Sequence, residues 1–163
     1  MSHSKIFQIS TSPISKDDYR APSAYYDNSG DFADYIGEEV NEEDRKVCIN
    51  SFAEDIADVF EPVGNGVFRY KGKDALHAFK QKWADYIKKL ADELTADNIL
   101  KHHRLFRLCN ATKETHIDTA YRVDIDEWTG AVSYPIGELF EFADSELTDG
   151  ANIYIGAVID YHY

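Results

Sequence analysis

Cysteine, proline and methionine are scarce in this chain of 163 residues, which has two, four and one of them. The two thiols, Cys48 and Cys109, cannot build a disulfide framework, and their spacing matches no short zinc motif. No apolar run is long enough to cross a membrane, and the first ten residues lack the apolar core of a signal peptide. A disulfide-rich secreted domain and a membrane protein are therefore excluded, and we expect a cytoplasmic protein with free thiols.

Motifs that mark a specific reaction are also missing. The chain contains no Gly-x-Ser-x-Gly elbow, no phosphate-binding Gly-x₄-Gly-Lys-Ser/Thr loop and no dinucleotide-binding Gly-x-Gly-x-x-Gly. Without them the sequence favours a binding protein over an enzyme, and it predicts no cofactor.

Basic residues are nearly absent from two long stretches. Residues 27–61 carry twelve acids and two bases, and residues 114–163 carry eleven acids and one base. Residues 69–107 between them carry ten bases and five acids, and the net charge of the whole chain is −13. Such a charge repels phosphates and anionic lipids, so we expect no direct nucleic-acid binding and no membrane association, whereas a basic protein is a plausible partner.

Hydrophobic residues make up 44% of the chain and aromatic residues 13%, which predicts a packed core. The length fits a single acidic α+β domain over residues 1–163. Helical and strand patterns are segregated along the chain, which favours α+β over a doubly wound parallel sheet. We expect an antiparallel or mixed sheet packed by two to four helices, with strands concentrated in the C-terminal third.

Two helices follow from apolar periodicity. Asn41 is a good N-cap for a helix that ends by Glu61, before Pro62. The spacing over residues 74–94 predicts a longer amphipathic helix. Further helices are expected at residues 31–40 and from Asp97.

Strand patterns occur at both ends of the chain. We expect strands at residues 5–10, 67–71, 120–126 and 131–134, and a central one at 153–161. Residues 138–142 fit either a strand or a short helical turn.

Two sets of residues resemble ligand groups. Asp124, Asp126 and Glu127 are the nearest approach to a cation site, but the solvated face of an amphipathic strand explains them more simply. His102, His103, His116 and His162 are possible imidazole ligands beside Cys109, yet none has zinc-finger spacing. The sequence therefore predicts no metal site.

The basic middle of the chain has two explanations. Lys80, Lys88, Arg104 and Arg107, near Trp83 and Tyr86, are candidates for a small anion-binding face. We favour the alternative that the basic helix docks beside the acidic segments and partly neutralises them.

The first functional hypothesis is a non-enzymatic interaction module that contacts a basic partner. In its sharper form the acids mimic nucleic-acid phosphates. The acidic face would comprise Glu38, Glu39, Glu42, Glu43, Asp44, Asp55 and Asp58.

The second hypothesis is a small-molecule-binding domain or minor enzyme. Aromatic walls with a few carboxylates suit sugars, nucleosides or cationic ligands. The pocket would be lined by Tyr121, Trp128, Tyr134, Tyr154 and Tyr161. The sequence assigns no oligomeric state under either hypothesis.

Overall fold

A mixed open sheet and four α-helices make up the fold of this computed structural model, which describes residues 2–115, 120–128 and 130–163. The strands are β1 (His3–Ser10), β2 (Tyr35–Glu39), β3 (Phe60–Gly64), β4 (Val67–Tyr70), β5 (Arg122–Ile125), β6 (Tyr134–Pro135) and β7 (Asn152–His162). The helices are α1 (Glu42–Asp55), α2 (Lys73–Asp92), α3 (His102–Glu114) and α4 (Gly137–Glu146). Lys16–Asp18 and Pro22–Asp31 form 3₁₀ turns. The expected α+β class is confirmed.

The strand β7 lies at the centre of the sheet, as its apolar, β-rich sequence predicts. The strand order is β3-β4-β7-β1-β5-β6, and β2 also pairs with β7. The β1–β5 pair is parallel and the other pairs are antiparallel. Residues only a few positions from the two ends of the chain therefore meet in the middle of the sheet.

Each face of the sheet packs against a different part of the chain. On one face, a large apolar cluster joins strand residues such as Phe7 and Val158 to residues of α1, α2 and α4. On the other face, Ile6, Ile159 and Tyr161 pack beneath Tyr25, which belongs to the turn Pro22–Asp31. Tyr25 is fully buried and anchors this segment on the sheet, whereas Tyr26 is exposed.

Arg45 fills a gap beside the central strand. Along β7, β4 pairs with residues 152–154 and β2 with residues 159–162. Between these stretches the buried Arg45 guanidinium of α1 donates hydrogen bonds to the carbonyl oxygens of Ile155, at 2.8 Å, and of Gly156. The side chain thus satisfies two backbone acceptors in the interval between two partner strands.

Three local predictions are wrong or incomplete. Residues 35–39 form the strand β2 instead of part of a helix at 31–40, because β7 offers them an edge to pair with. The helix expected from Asp97 begins only at His102. Residues 137–146 form α4, which settles the open choice at 138–142 in favour of helix.

The expected concentration of strands in the C-terminal third is not confirmed, since four strands lie before residue 71. The N-cap role of Asn41 is confirmed, and so is the long helix, which spans Lys73–Asp92. Among the described residues, no helix has the length and apolar character needed to cross a membrane.

Candidate functional site

An acidic cleft opens where β2, β7 and β1 meet the start of α1. It has a volume of about 620 Å³, and its walls carry four carboxylates and one ammonium group. The lining residues are Lys5, Glu38, Glu39, Val40, Asn41, Asp44, Val47, Cys48 and Asp160. A concave surface with this excess of acids attracts cations and repels anions.

Asn41 sets the position of the acids at the start of α1. Its Oδ1 accepts hydrogen bonds from the backbone N–H groups of Glu43, at 3.0 Å, and Asp44, at 2.9 Å. Its Nδ2 donates to Asp44 Oδ2 at 2.7 Å and orients that carboxylate. Acids in the first helical turn interact favourably with the helix dipole, so this concentration of carboxylates does not disturb the helix.

Asp160 brings a carboxylate from β7 into the same cleft. Lys5 Nζ donates to Asp160 Oδ1 at 2.5 Å, and His3 Nδ1 lies 3.0 Å from Oδ2. Burial tends to raise the pKa of Asp160, but the hydrogen bonds and charges of Lys5 and His3 hold this pKa below its ordinary value. Asp160 is therefore ionised at neutral pH, and Lys5 is the base that partly balances it.

Cys48 is the thiol that lines the cleft. It is half-buried on α1, and burial raises the pKa of its thiol above the ordinary value. A thiol that stays protonated at neutral pH is a weak nucleophile. The other cysteine, Cys109, is exposed on α3, and both are free.

The seven residues of the predicted acidic face fall into separate groups. Glu38, Glu39 and Asp44 line the acidic cleft, and the exposed Glu43 follows Glu42 in the first turn of α1. Glu42 lines a second cavity of about 510 Å³, where Arg45 and Lys46 also lie.

Asp55 and Asp58 lie at the far end of α1. Asp55 is the last residue of the helix and is half-buried. Asp58 Oδ2 accepts from Lys82 Nζ at 2.9 Å. Of the seven, Glu38, Glu39 and Asp44 are thus the ones that the fold gathers around one concavity.

The basic middle of the chain docks beside acidic segments, as the favoured explanation predicts. Besides the Lys82–Asp58 pair, Lys80 Nζ lies 2.8 Å from Asp144 Oδ2 and 3.3 Å from Glu141 Oε1 on α4. Within the basic segment itself, Arg104 pairs with Glu93 at 2.8 Å. Trp83 is packed against the core.

The five aromatic residues of the alternative pocket lie in different surroundings. The Tyr121 ring packs edge-on against Phe7, with 5.4 Å between ring centroids, and its hydroxyl donates to Ser51. Trp128 and Tyr134 contact each other at 5.0 Å.

The remaining two aromatics lie elsewhere. Tyr161 belongs to the cluster on the opposite face of the sheet. Tyr154 is half-buried in β7, in register with Ser10 and Val67. Among these five rings the structure brings together Trp128 and Tyr134, and none of the five lines either cavity described above.

The expectation that Asp124 lies on the solvated face of a strand is wrong. Its side chain is buried, and its Oδ2 accepts hydrogen bonds from Tyr25 Oη at 2.7 Å and Arg20 Nε at 3.2 Å. The side chain of Asp126 is only partly buried, and its Oδ2 accepts a hydrogen bond from Gln8 Nε2 at 3.0 Å. The turn carrying Tyr25 covers this face, which strand alternation alone does not reveal.

Burial is the main cause of the pKa shifts of Asp124 and Tyr25. It raises the pKa of Asp124 above the ordinary value, and the hydrogen bonds from Tyr25 and Arg20 oppose that shift only in part. Burial, with the charge of Asp124, likewise raises the pKa of Tyr25, so its hydroxyl remains a donor. Asp124 Oδ1 has no hydrogen-bond partner among the described residues.

Among the described residues, the histidines considered as possible ligands form no metal-binding group with Cys109. His102 stacks on Phe106 of α3, while His162 ends β7. His116 lies outside the described residues. A different arrangement escapes prediction from sequence: His3, Asp160 and His162 lie together across the β1–β7 pair.

Alternation along β1 and β7 is the sequence signal that could have indicated the group of His3, Asp160 and His162. His3 and Lys5 alternate in β1, and Asp160 and His162 alternate in β7. Each pair therefore shares one face of its strand. Only the antiparallel pairing of the two strands, which the sequence does not specify, brings the pairs together.

Comparisons of this chain with protein-family models, with curated proteins and with solved structures found no match.

Proposed function

We propose that this protein is a non-enzymatic interaction module whose acidic cleft receives a basic group of a protein partner. The observation that carries this proposal is the lining of the cleft, in which Glu38, Glu39, Asp44 and Asp160 surround a single base, Lys5. The lining carries a net charge of −3, from four acids and one base.

Electrostatics favours an arginine or lysine side chain as the occupant. A guanidinium binds carboxylates through two parallel hydrogen bonds, and Glu38, Glu39 and Asp44 are exposed. A cleft lined mainly by charges of one sign concentrates their field, so a basic group is attracted more strongly there than to a single exposed acid. Binding of this kind weakens as salt concentration rises.

Nucleic-acid mimicry is the sharper form of the proposal. The fourteen residues of α1 extend over about 21 Å. One strand of B-form DNA carries about six phosphates over that length, and four of the seven predicted acids, Glu42, Glu43, Asp44 and Asp55, lie on this helix. The Lys82–Asp58 pair reduces the charge at one end, so a basic DNA-handling partner would contact mainly residues 38–44.

The test uses two triple variants with equal net charge. E38K/E39K/D44K reverses the cleft, whereas D92K/D97K/E146K reverses three exposed acids outside it. In both, three acid-to-lysine changes of two charges each take the net charge from −13 to −7. Each full-length protein is used to capture partners from lysate at low and moderate salt, with duplex DNA as competitor.

We expect wild type and the outside-cleft variant to capture the same basic protein, less of it at moderate salt, and the cleft variant to lose it. Competition by duplex DNA would support mimicry in particular. Equal losses in both variants would mean that overall charge, and not the cleft, governs binding. Capture of no basic protein by the wild type would count against the proposal altogether.

A further inference from the structure

A cluster of two imidazoles and one carboxylate lies at the paired ends of β1 and β7. The register places His3 opposite His162 and Lys5 opposite Asp160. Because alternate residues of a strand share a face, all four side chains lie on the same face of the sheet. It is the face that carries the large apolar cluster farther along the strands, where Phe7 and Val158 are paired.

The potential ligand atoms are already close to metal-binding separations. His3 Nδ1 lies 3.0 Å and His162 Nε2 lies 3.5 Å from Asp160 Oδ2, and the three ligand atoms lie within 4.8 Å of one another. Zinc bonds of about 2.0–2.2 Å in a tetrahedral site place neighbouring ligand atoms roughly 3.3–3.6 Å apart. Small side-chain adjustments are therefore enough to bring all three atoms onto one ion.

The surroundings hold these groups in place. The rings of His3 and His162 have centroids 3.8 Å apart, and Tyr35 packs edge-on against His162 at 5.5 Å. Gly37 leaves room for the carboxylate, since a Cβ added there would lie 3.2 Å from Asp160 Cβ and 3.3 Å from Oδ2. All three ligands belong to strands of the central sheet, which limits their movement.

We propose that His3, Asp160 and His162 bind a divalent transition-metal ion of the Zn²⁺ class. Two imidazoles and one carboxylate suit such an ion better than Ca²⁺ or Mg²⁺, which prefer oxygen ligands. The three side chains leave at least one coordination position open to water or to a further ligand. The site shares Asp160 with the acidic cleft, but its test measures metal binding by the purified protein and does not require the proposed partner.

Lys5 affects the proposed metal site through its hydrogen bond to Asp160 and through its positive charge. Its ammonium group holds Asp160 Oδ1, so the carboxylate presents Oδ2 to the imidazoles. The positive charge of Lys5 also repels a bound cation. A bound ion itself orients Asp160, so losing the charge of Lys5 matters more than losing its hydrogen bond. K5M is therefore expected to tighten Zn²⁺ binding several-fold, whereas a purely structural cluster of hydrogen bonds would gain no affinity for the ion.

The experiment titrates the full-length protein with Zn²⁺ by calorimetry and with Co²⁺ by visible absorption. The variants are H3Q, H162Q and K5M, and H77Q is the control because His77 is an exposed histidine on α2, away from the cluster. Thermal unfolding of each metal-free variant checks that it is folded. His3 is more than half exposed, so H3Q tests the site even if H162Q is unstable.

We expect wild type and H77Q to bind one equivalent of Zn²⁺ and to show the intense visible bands of four-coordinate Co²⁺. H3Q and H162Q should each lose at least about tenfold in affinity, because each removes a direct ligand. Failure of the wild type to bind one equivalent would overturn the proposal. Unchanged affinity in folded H3Q would overturn it as well, whatever the partner-capture experiment gives.

Discussion

Asp124 places a carboxylate inside the protein, between the sheet and the turn that carries Tyr25. One of its oxygens is held by Tyr25 and Arg20, and the other has no partner among the described residues. A buried carboxylate with incomplete hydrogen bonding is costly when ionised, because water can no longer solvate its charge. The raised pKa of Asp124 is the direct consequence.

This raised pKa predicts a pH-dependent effect of D124N. A carboxyl whose pKa is higher in the folded than in the unfolded state contributes stability that is fully present below the unfolded value, about 3.9, and is lost as pH rises through the folded value. The free energy of unfolding of wild type minus that of D124N should therefore fall from acid towards neutral pH. Urea unfolding at several pH values measures this difference. A difference that rises with pH would contradict the prediction, and D92N, at an exposed position, serves as the control.

Single residues were predictable from the sequence where local geometry decides their role. Asn41 was assigned as an N-cap because a short amide side chain before a helix reaches the free N–H groups of its first turn. Asp124 was assigned to solvent because alternation in a strand indicates which residues share a face but not what covers that face. His3 and Asp160 were missed because their contact joins residues 157 positions apart.

At the scale of elements, the apolar periodicity of α2 and the β-rich composition of β7 were sufficient to predict them. The long helix buries Leu76, Phe79 and Leu90 on its apolar stripe. The segment 31–40 is expected to be a helix, yet it supplies β2. A short segment with weak local preference takes the structure that its tertiary partner offers, and here the partner is the edge of β7.

Arg45 links α1 to β7 through two hydrogen bonds. In R45M the carbonyl oxygens of Ile155 and Gly156 lose their donors in a buried setting, so we expect the free energy of unfolding to fall by about 2–4 kcal/mol. R45K should lose less, because an ammonium group can still donate to one of the carbonyls. The measurement is urea unfolding, with K46M at the exposed neighbouring position as control. Equal stability of R45M and K46M would show that the two carbonyls do not need this donor.

At the scale of the whole molecule, the sorting of charge along the sequence becomes a set of contacts between helices. Lys80 and Lys82 of the basic segment contact acids that precede and follow it in the chain. The sequence indicated this docking, but it did not show which acids remain around the cleft. That distinction depends on how β2, β7 and α1 are placed relative to one another.

Net charge predicts how salt affects stability. With a charge of −13, repulsion among acids acts throughout the folded protein, while exposed ion pairs contribute little individually. Raising NaCl from about 0.05 M to 0.5 M shortens the Debye length from about 14 Å to about 4 Å and screens this repulsion. We therefore expect the midpoint of thermal unfolding to rise by a few degrees. A fall in the midpoint would mean that ion pairs such as Lys80–Asp144 outweigh the repulsion.

The central position of β7 also determines how late in synthesis the sheet can be completed. This strand pairs with β1, β2 and β4, yet it begins about 140 residues after β1 ends. At translation rates of about 5–20 residues per second, roughly 7–28 s pass between the synthesis of β1 and the start of β7. Meanwhile Ile6, Phe7 and Ile9, all fully buried in the folded protein, have only incomplete cover. The nascent chain therefore exposes an apolar strand for several seconds, an interval in which chaperone binding competes with aggregation.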